Sequence, residues 1–225
     1  LIIMAVSFCG PILSNFDKFF VNSKQLLGYS FIIIALEIIS RAQILSGALT
    51  TATFGLLAKD ESKNLFSNIF RFSFMMFLGI LIIVITVSSF FQKNSLAEYD
   101  EIINWLIILS PLIIINALAS IVYTQLLAKK ITKKIGILYA IELPTYILVM
   151  TTYGTSLDLI ALILLARCCL DFILLCVFDS SCYETISLFF IKNIAFIVIF
   201  VMCLFLIISD TFKMYSILVF ILSYL

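Results

Sequence analysis

Uninterrupted apolar runs of about twenty residues recur from one end of this sequence to the other. No other feature restricts its fold as much. A helix rising about 1.5 Å per residue needs such a run to cross the roughly 30 Å hydrocarbon core of a bilayer. Strands of a membrane barrel alternate apolar and polar residues over segments of about ten, and the runs here are continuous. Apolar residues make up 64% of the chain and mean hydropathy is +1.24, whereas a soluble domain is usually about 45–50% apolar. The sequence predicts an all-α, polytopic membrane protein.

About eight transmembrane spans are expected. They fall near residues 1–21, 28–57, 65–91, 102–128, 135–153, 157–178 and 186–208, with a last one beginning near Met214. Pro11 predicts a kink in the first. The second is expected to be long, tilted or broken near Gly47, and Pro111 and Asn116 interrupt the fourth. Leu1 and Leu225 both lie inside apolar runs. The chain therefore reads as a piece of a longer membrane protein, and its first residues do not read as a signal peptide.

Lysines and arginines orient the spans, because cytoplasmic loops carry their excess. Lys59, Lys63 and Arg71 surround the loop after the second span, and Lys129, Lys130, Lys133 and Lys134 form the loop after the fourth. The intervening loop has Lys93 against Glu98, Asp100 and Glu101. The two basic loops are thus expected in the cytoplasm, with Leu1 on that side. By the same parity the link after the sixth span is cytoplasmic, although it has no Lys or Arg before Lys192.

Several chemistries are not indicated. The loops are short, and they carry neither a P-loop nor a glycine-rich nucleotide fingerprint. Net charge is +1 with 12% charged residues, which gives no footprint for nucleic acid. The six cysteines form no CxxC pair, and there is no histidine to complete a zinc site. No catalytic residue, metal or cofactor is expected, and the chain is not read as an enzyme.

Ionisable residues inside apolar spans are costly and mark candidate functional positions. Glu37 and Arg41 are four apart in the second span, with the acid first, the favourable order for a helical pair. Glu142 stands near Pro144 in the fifth span and has no helical mate, so it must pair across helices, protonate or face water. Arg167 and Asp171 share a face of the sixth span, and Asp17 and Lys18 lie near the end of the first. These pairs could simply neutralise one another. They could equally form a mixed-charge cavity that holds a polar substrate at mid-membrane. An arginine stays charged there and grips phosphate through paired hydrogen bonds. Lys129–Lys134 reads as a topology signal or as an attractor of anionic lipid headgroups.

The order of these elements resembles a known family. It runs from the basic loop through Glu142-Leu143-Pro144-Thr145-Tyr146 and the Tyr153-Gly154 break to Ala166-Arg167 and Asp171. That order is similar to the polysaccharide transporters of the MOP superfamily, the Wzx-like oligosaccharide flippases. Asp17-Lys18-Phe19-Phe20, followed by Leu27-Gly28-Tyr29, resembles the aspartate–basic–aromatic motif that opens that family's C-terminal half. The resemblance covers about residues 10–175. It departs at Lys18, where Arg is common, and at 129–134, where a glycine-containing loop is usual. It departs again after Gly154, where Thr155 and Ser156 replace a Gly-Ala pair.

The resemblance implies a two-lobe transporter of twelve to fourteen helices. Residues 1–178 would be its C-terminal six-helix lobe and residues 179–225 part of an extra helix pair. It implies alternating-access flipping of an undecaprenyl-pyrophosphate-linked oligosaccharide across the bacterial cytoplasmic (inner) membrane. Surrounding lipids, and polysaccharide polymerase and chain-length proteins, would be partners. The substrate-binding residues would be Arg41, Arg167, Glu37, Asp171, Glu142, Asp17 and Lys18. Arg41 and Arg167 would attract the pyrophosphate, Glu37 and Asp171 would orient them, and Glu142 would bind sugar hydroxyls or a coupling H+ or Na+. Two alternatives stay open: a MATE-like cation-coupled drug or metabolite antiporter, and the membrane part of a polysaccharide-assembly enzyme.

Overall fold

A backbone in hydrocarbon must satisfy its own N–H and C=O groups, and a helix does so without a partner segment. The computed structural model describes Phe16, Phe20 and residues 29–59, 63–94 and 99–194, and among these no strand occurs. The helices are α1 (Tyr29–Ala42), α2 (Ile44–Lys59), α3 (Lys63–Asn94), α4 (Asp100–Leu109), α5 (Pro111–Ala128), α6 (Thr132–Tyr153), α7 (Leu157–Val177) and α8 (Ser180–Lys192). Among the described residues five stretches are long and apolar enough to cross a membrane: Ser30–Lys59, Asn64–Phe91, Asp100–Ala128, Thr132–Tyr153 and Leu157–Val177. They correspond to the second through sixth expected spans. Apart from Phe16 and Phe20, the first span, with Asp17 and Lys18, lies outside the described residues, as does everything beyond Ile194.

Two of the five stretches are broken, each for a local reason. Between α1 and α2 the Gln43 N–H is shared by the Ile39 and Ser40 carbonyls at 3.3 and 3.2 Å, a turn tighter than α-helix. This break lies four residues ahead of Gly47, the expected position. Hydroxyls flank it: Ser40 Oγ donates to the Glu37 carbonyl at 2.7 Å and Ser46 Oγ to the Gln43 carbonyl at 2.8 Å. Such back-bonding competes with the helix ladder. Between α4 and α5 the cause is Pro111, which brings no N–H and starts α5 at its first position. The buried Ser110 satisfies its hydroxyl on the Ile107 carbonyl at 2.7 Å.

The core follows helical spacing. Ile32, Ala35, Leu36 and Ile39 form one face of α1, and Phe70, Phe77 and Leu81 line a face of α3. α5 is the most enclosed helix and packs against α2, α3 and α7. Two buried hydroxyls bond within their own helices: Ser73 donates to the Ile69 carbonyl and Thr124 to the Ser120 carbonyl, both at 2.7 Å. Opposite faces present Ile38, Phe72, Ile83 and Leu170 outward, as a lipid solvent requires.

The hairpin of α6 and α7 is fastened at one end. α5 finishes with hydrogen bonds from Lys130 N to Leu127 O and Ile131 N to Leu126 O, both 2.9 Å, and Lys130 takes φ 60°. This is a Schellman ending with lysine where glycine is usual. The reversal carries the Lys129 ammonium onto Asp179 and Ser181, in the turn after α7. Lys134 donates to the Phe178 carbonyl at 3.2 Å. Asp179 also accepts from the Ser181 N–H at 3.2 Å, the Ser181 hydroxyl at 2.9 Å and the Cys182 thiol at 3.3 Å. Burial disfavours its charge, but these donors, Lys129 foremost, outweigh burial and hold the carboxyl below the usual carboxylate range. The α7–α8 turn thus lies on the same face as the basic loop, which supplies the positive charge the turn lacks.

The chain divides into two compact units, Leu1–Cys182 and Tyr183–Leu225. In the second, the Phe189 and Phe190 rings meet edge to face at 5.6 Å.

Candidate functional site

α6 and α7 lie side by side in opposite directions, and a groove of about 490 Å³ runs between them. Its volume falls within the roughly 300–1,000 Å³ typical of small-molecule sites. Leu138, Ile141 and Val149 of α6 and Ile163, Leu170 and Leu174 of α7 make its walls apolar. Into this apolar setting project Glu142 from one helix and Arg167 and Asp171 from the other.

Spacing places them there. Glu142 and Tyr146 are one turn apart on α6, and Arg167 and Asp171 one turn apart on α7, so two facing stripes meet. Arg167 Nε donates to Glu142 Oε1 at 3.0 Å, with both side chains about 85% buried (15% and 14% exposed). The guanidinium carbon sits 4.7 Å from the centroid of the Tyr146 ring, within cation–π range. Glu142 Oε2 and Asp171 Oδ1 are buried without a hydrogen-bond partner. A carboxylate oxygen in that state costs free energy until a donor or cation reaches it. The trio contains two carboxylates and one guanidinium, so as ionised groups they sum to one negative charge.

Aromatic rings continue from the trio along the C-terminal half of α6. Tyr146 meets Phe16 edge-on at 5.9 Å, and Phe16 stacks with Phe20 at 5.9 Å. Phe20 lies against Gly154, where a Cβ atom would stand 2.9 Å from the ring and 2.5 Å from the Met150 carbonyl oxygen. Gly154 has φ −73° and ψ 58°, and Thr155 N donates to Tyr153 O at 2.7 Å. That is an inverse γ-turn, and it passes the chain from α6 to α7.

The expected residues thus divide into groups. Glu142, Arg167 and Asp171 come together, and the cross-helix mate that Glu142 required is Arg167. Glu37 and Arg41 pair with each other at 3.1 Å on α1, the arginine side chain 72% exposed and the glutamate 44%, and neither lines the groove. Asp17 and Lys18 lie outside the described residues. Tyr146 was not among the expected binding residues, although its position one turn from Glu142 is the signal that marks it. No family model, curated protein or solved structure matches this chain.

Proposed function

We propose that this chain belongs to a multi-pass membrane transporter that moves a lipid-linked oligosaccharide across the bacterial cytoplasmic membrane by alternating access. The chain would supply the C-terminal lobe of a two-lobe protein. The observation that carries the reading is the groove between α6 and α7: apolar walls around a buried charged trio. A carrier of an amphiphile needs such a combination, a wall for the apolar part and fixed polar groups for the head.

The charge balance refines the roles. Arg167 is engaged by Glu142 and Tyr146, and two carboxyl groups line the groove beside it, a setting that does not favour a pyrophosphate. Glu142 Oε2 and Asp171 Oδ1 call for donors, which sugar hydroxyls provide. The pyrophosphate would fall to Arg41, which is paired with Glu37 on α1 but whose side chain is 72% exposed. The same two oxygens support a second reading: a proton or Na+ held there would serve a cation-coupled drug or metabolite antiporter.

The test is deletion of the full-length gene in its host. Lipid-linked oligosaccharide should accumulate on the cytoplasmic face, relieved by the intact gene and not by an Arg41→Ala form present in the membrane at normal level. Export by Arg41→Ala at the normal rate removes the anion role. Normal surface glycan with cation-gradient-dependent efflux of small molecules replaces the flippase with the antiporter.

A further inference from the structure

The groove between α6 and α7 has a cationic end. Leu138 and Ile141 line it from α6, and Lys134 stands one turn before Leu138 on the same stripe. Leu174 lines it from α7, and Phe178 stands one turn beyond. Lys134 Nζ donates to the Phe178 carbonyl at 3.2 Å, so an ammonium group bridges the two walls where α6 begins and α7 finishes. That carbonyl takes one of three ammonium protons, and Lys134 is exposed.

The charge there is uncompensated. Asp179 is the only acid in residues 129–138 and 172–182, and Lys129 occupies it. Lys130, Lys133 and Lys134 are left over. Lys130 and Lys133 are exposed, and among the described residues neither ammonium has a partner.

The groove that leads away from these lysines is apolar and opens outward. Ile141, Leu170 and Leu174 are exposed, whereas Glu142 Oε2 and Asp171 Oδ1 are buried. Lys134 precedes Glu142 by about 12 Å of helix, and over that length the walls are hydrocarbon. A basic pocket between spanning helices is a setting that holds anionic lipid headgroups.

We propose that this end of the groove binds an anionic phospholipid of the surrounding bilayer. Its phosphate rests on Lys134, with Lys133 and Lys130 beside it, and the first part of an acyl chain lies along Leu138, Ile141, Leu170 and Leu174. A free phosphate would leave the apolar walls unused. A zwitterionic lipid would bring its own cation up to three ammonium groups. The occupant is a resident lipid and not cargo, so the inference does not rest on the transport reading, and either can fail alone.

The test uses the full-length protein in nanodiscs holding phosphatidylglycerol or phosphatidylcholine, each with a diazirine part-way along one acyl chain. Light attaches the chain to the side chain it touches, and peptide mass spectrometry locates the adduct. Phosphatidylglycerol should label Leu138, Ile141, Leu170 and Leu174 several-fold more than phosphatidylcholine does. Lys134→Gln should cut that excess roughly fivefold, and Lys133→Gln together with it should remove the excess. Phe72 and Ile83, exposed on α3, should be labelled alike by both lipids and in every variant, which also shows that the variants are folded. Ile141→Trp fills the groove and keeps the lysines, and should lower labelling at Leu138 and Leu174. The site is overturned if the two lipids label the groove alike, or if the excess survives the double lysine substitution. It is also overturned if Phe72 and Ile83 show an equal excess, which marks a general attraction to the surface, or if Ile141→Trp changes nothing. Loss of the excess on adding inorganic phosphate would replace the lipid with a free anion.

Discussion

Gly154→Ala puts the close approach at the α6–α7 turn to a quantitative test. The new Cβ would stand 2.5 Å from the Met150 carbonyl oxygen and 2.9 Å from the Phe20 ring. Ordinary van der Waals contact begins at 3.4 Å, so the shortfall against the carbonyl is the larger. Phe20 can rotate away, but the Met150 carbonyl cannot, since it accepts the Gly154 N–H at 2.9 Å and closes the last turn of α6. Backbone dihedrals are not at issue, because φ at Gly154 is negative. The cost is overpacking, about 1–3 kcal/mol. Gly47→Ala and Gly55→Ala are the controls: a Cβ at either meets nothing within 4 Å. In those helix interiors alanine should be neutral or better by up to about 1 kcal/mol. Reversible unfolding of the full-length protein in nanodiscs, all three variants side by side, gives the comparison. If Gly154→Ala is as stable as the two controls, the close approach does not exist as described. Adding Phe20→Leu should recover only part of the loss.

Lys130→Gly should stabilise the protein by roughly 0.5–1 kcal/mol in the same assay, because φ 60° costs lysine what glycine does not pay. Lys129→Met and Asp179→Asn should each destabilise, and a double-mutant cycle should return a coupling of about 1–3 kcal/mol; additive losses would show that the pair is not an energetic unit. The Asp179 carboxyl titrates lower folded than unfolded, so its contribution is in full force above the ordinary aspartate pKa of about 3.9. It fades as pH falls through the lower folded value. Below about pH 4 the wild type should therefore lose its advantage over Asp179→Asn, read as convergence of their unfolding midpoints. Cys182, buried beside Asp179, has its thiol raised by burial and by that carboxylate, so a permeant maleimide should leave it unmodified until Asp179→Asn opens the turn.

Helix was legible in the sequence because lipid leaves a continuous apolar run so few alternatives. The Glu37–Arg41 pair was legible as well, since an i,i+4 contact needs only one helix to exist. So was the break at Pro111, where a missing N–H has a local effect. The break in the second span was expected near Gly47 and falls four residues earlier, at Gln43, where serine hydroxyls compete for carbonyls. The partner of Arg167 was hidden. Spacing offered Asp171 on its own helix, whereas the hydrogen bond goes to Glu142, a choice set by how far α6 slides along α7. Nor could sequence order reveal that Lys129 spends its charge on a turn with no basic residue.

The Lys129–Asp179 pair also bears on how the protein is made. The two residues are 50 positions apart, and a ribosome adds about 5–20 residues per second. Lys129 therefore leaves the ribosome roughly 3–10 s before its acid exists, an interval that covers synthesis of the whole α6–α7 hairpin. During that time its ammonium has no Asp179 to receive it and is best accommodated in water. That holds the end of α5 in place while the hairpin inserts. When Asp179 arrives the ammonium can be buried, and only a hairpin that has crossed and returned brings the acid to the correct side. The pair thus forms only after both helices that carry the groove have been made.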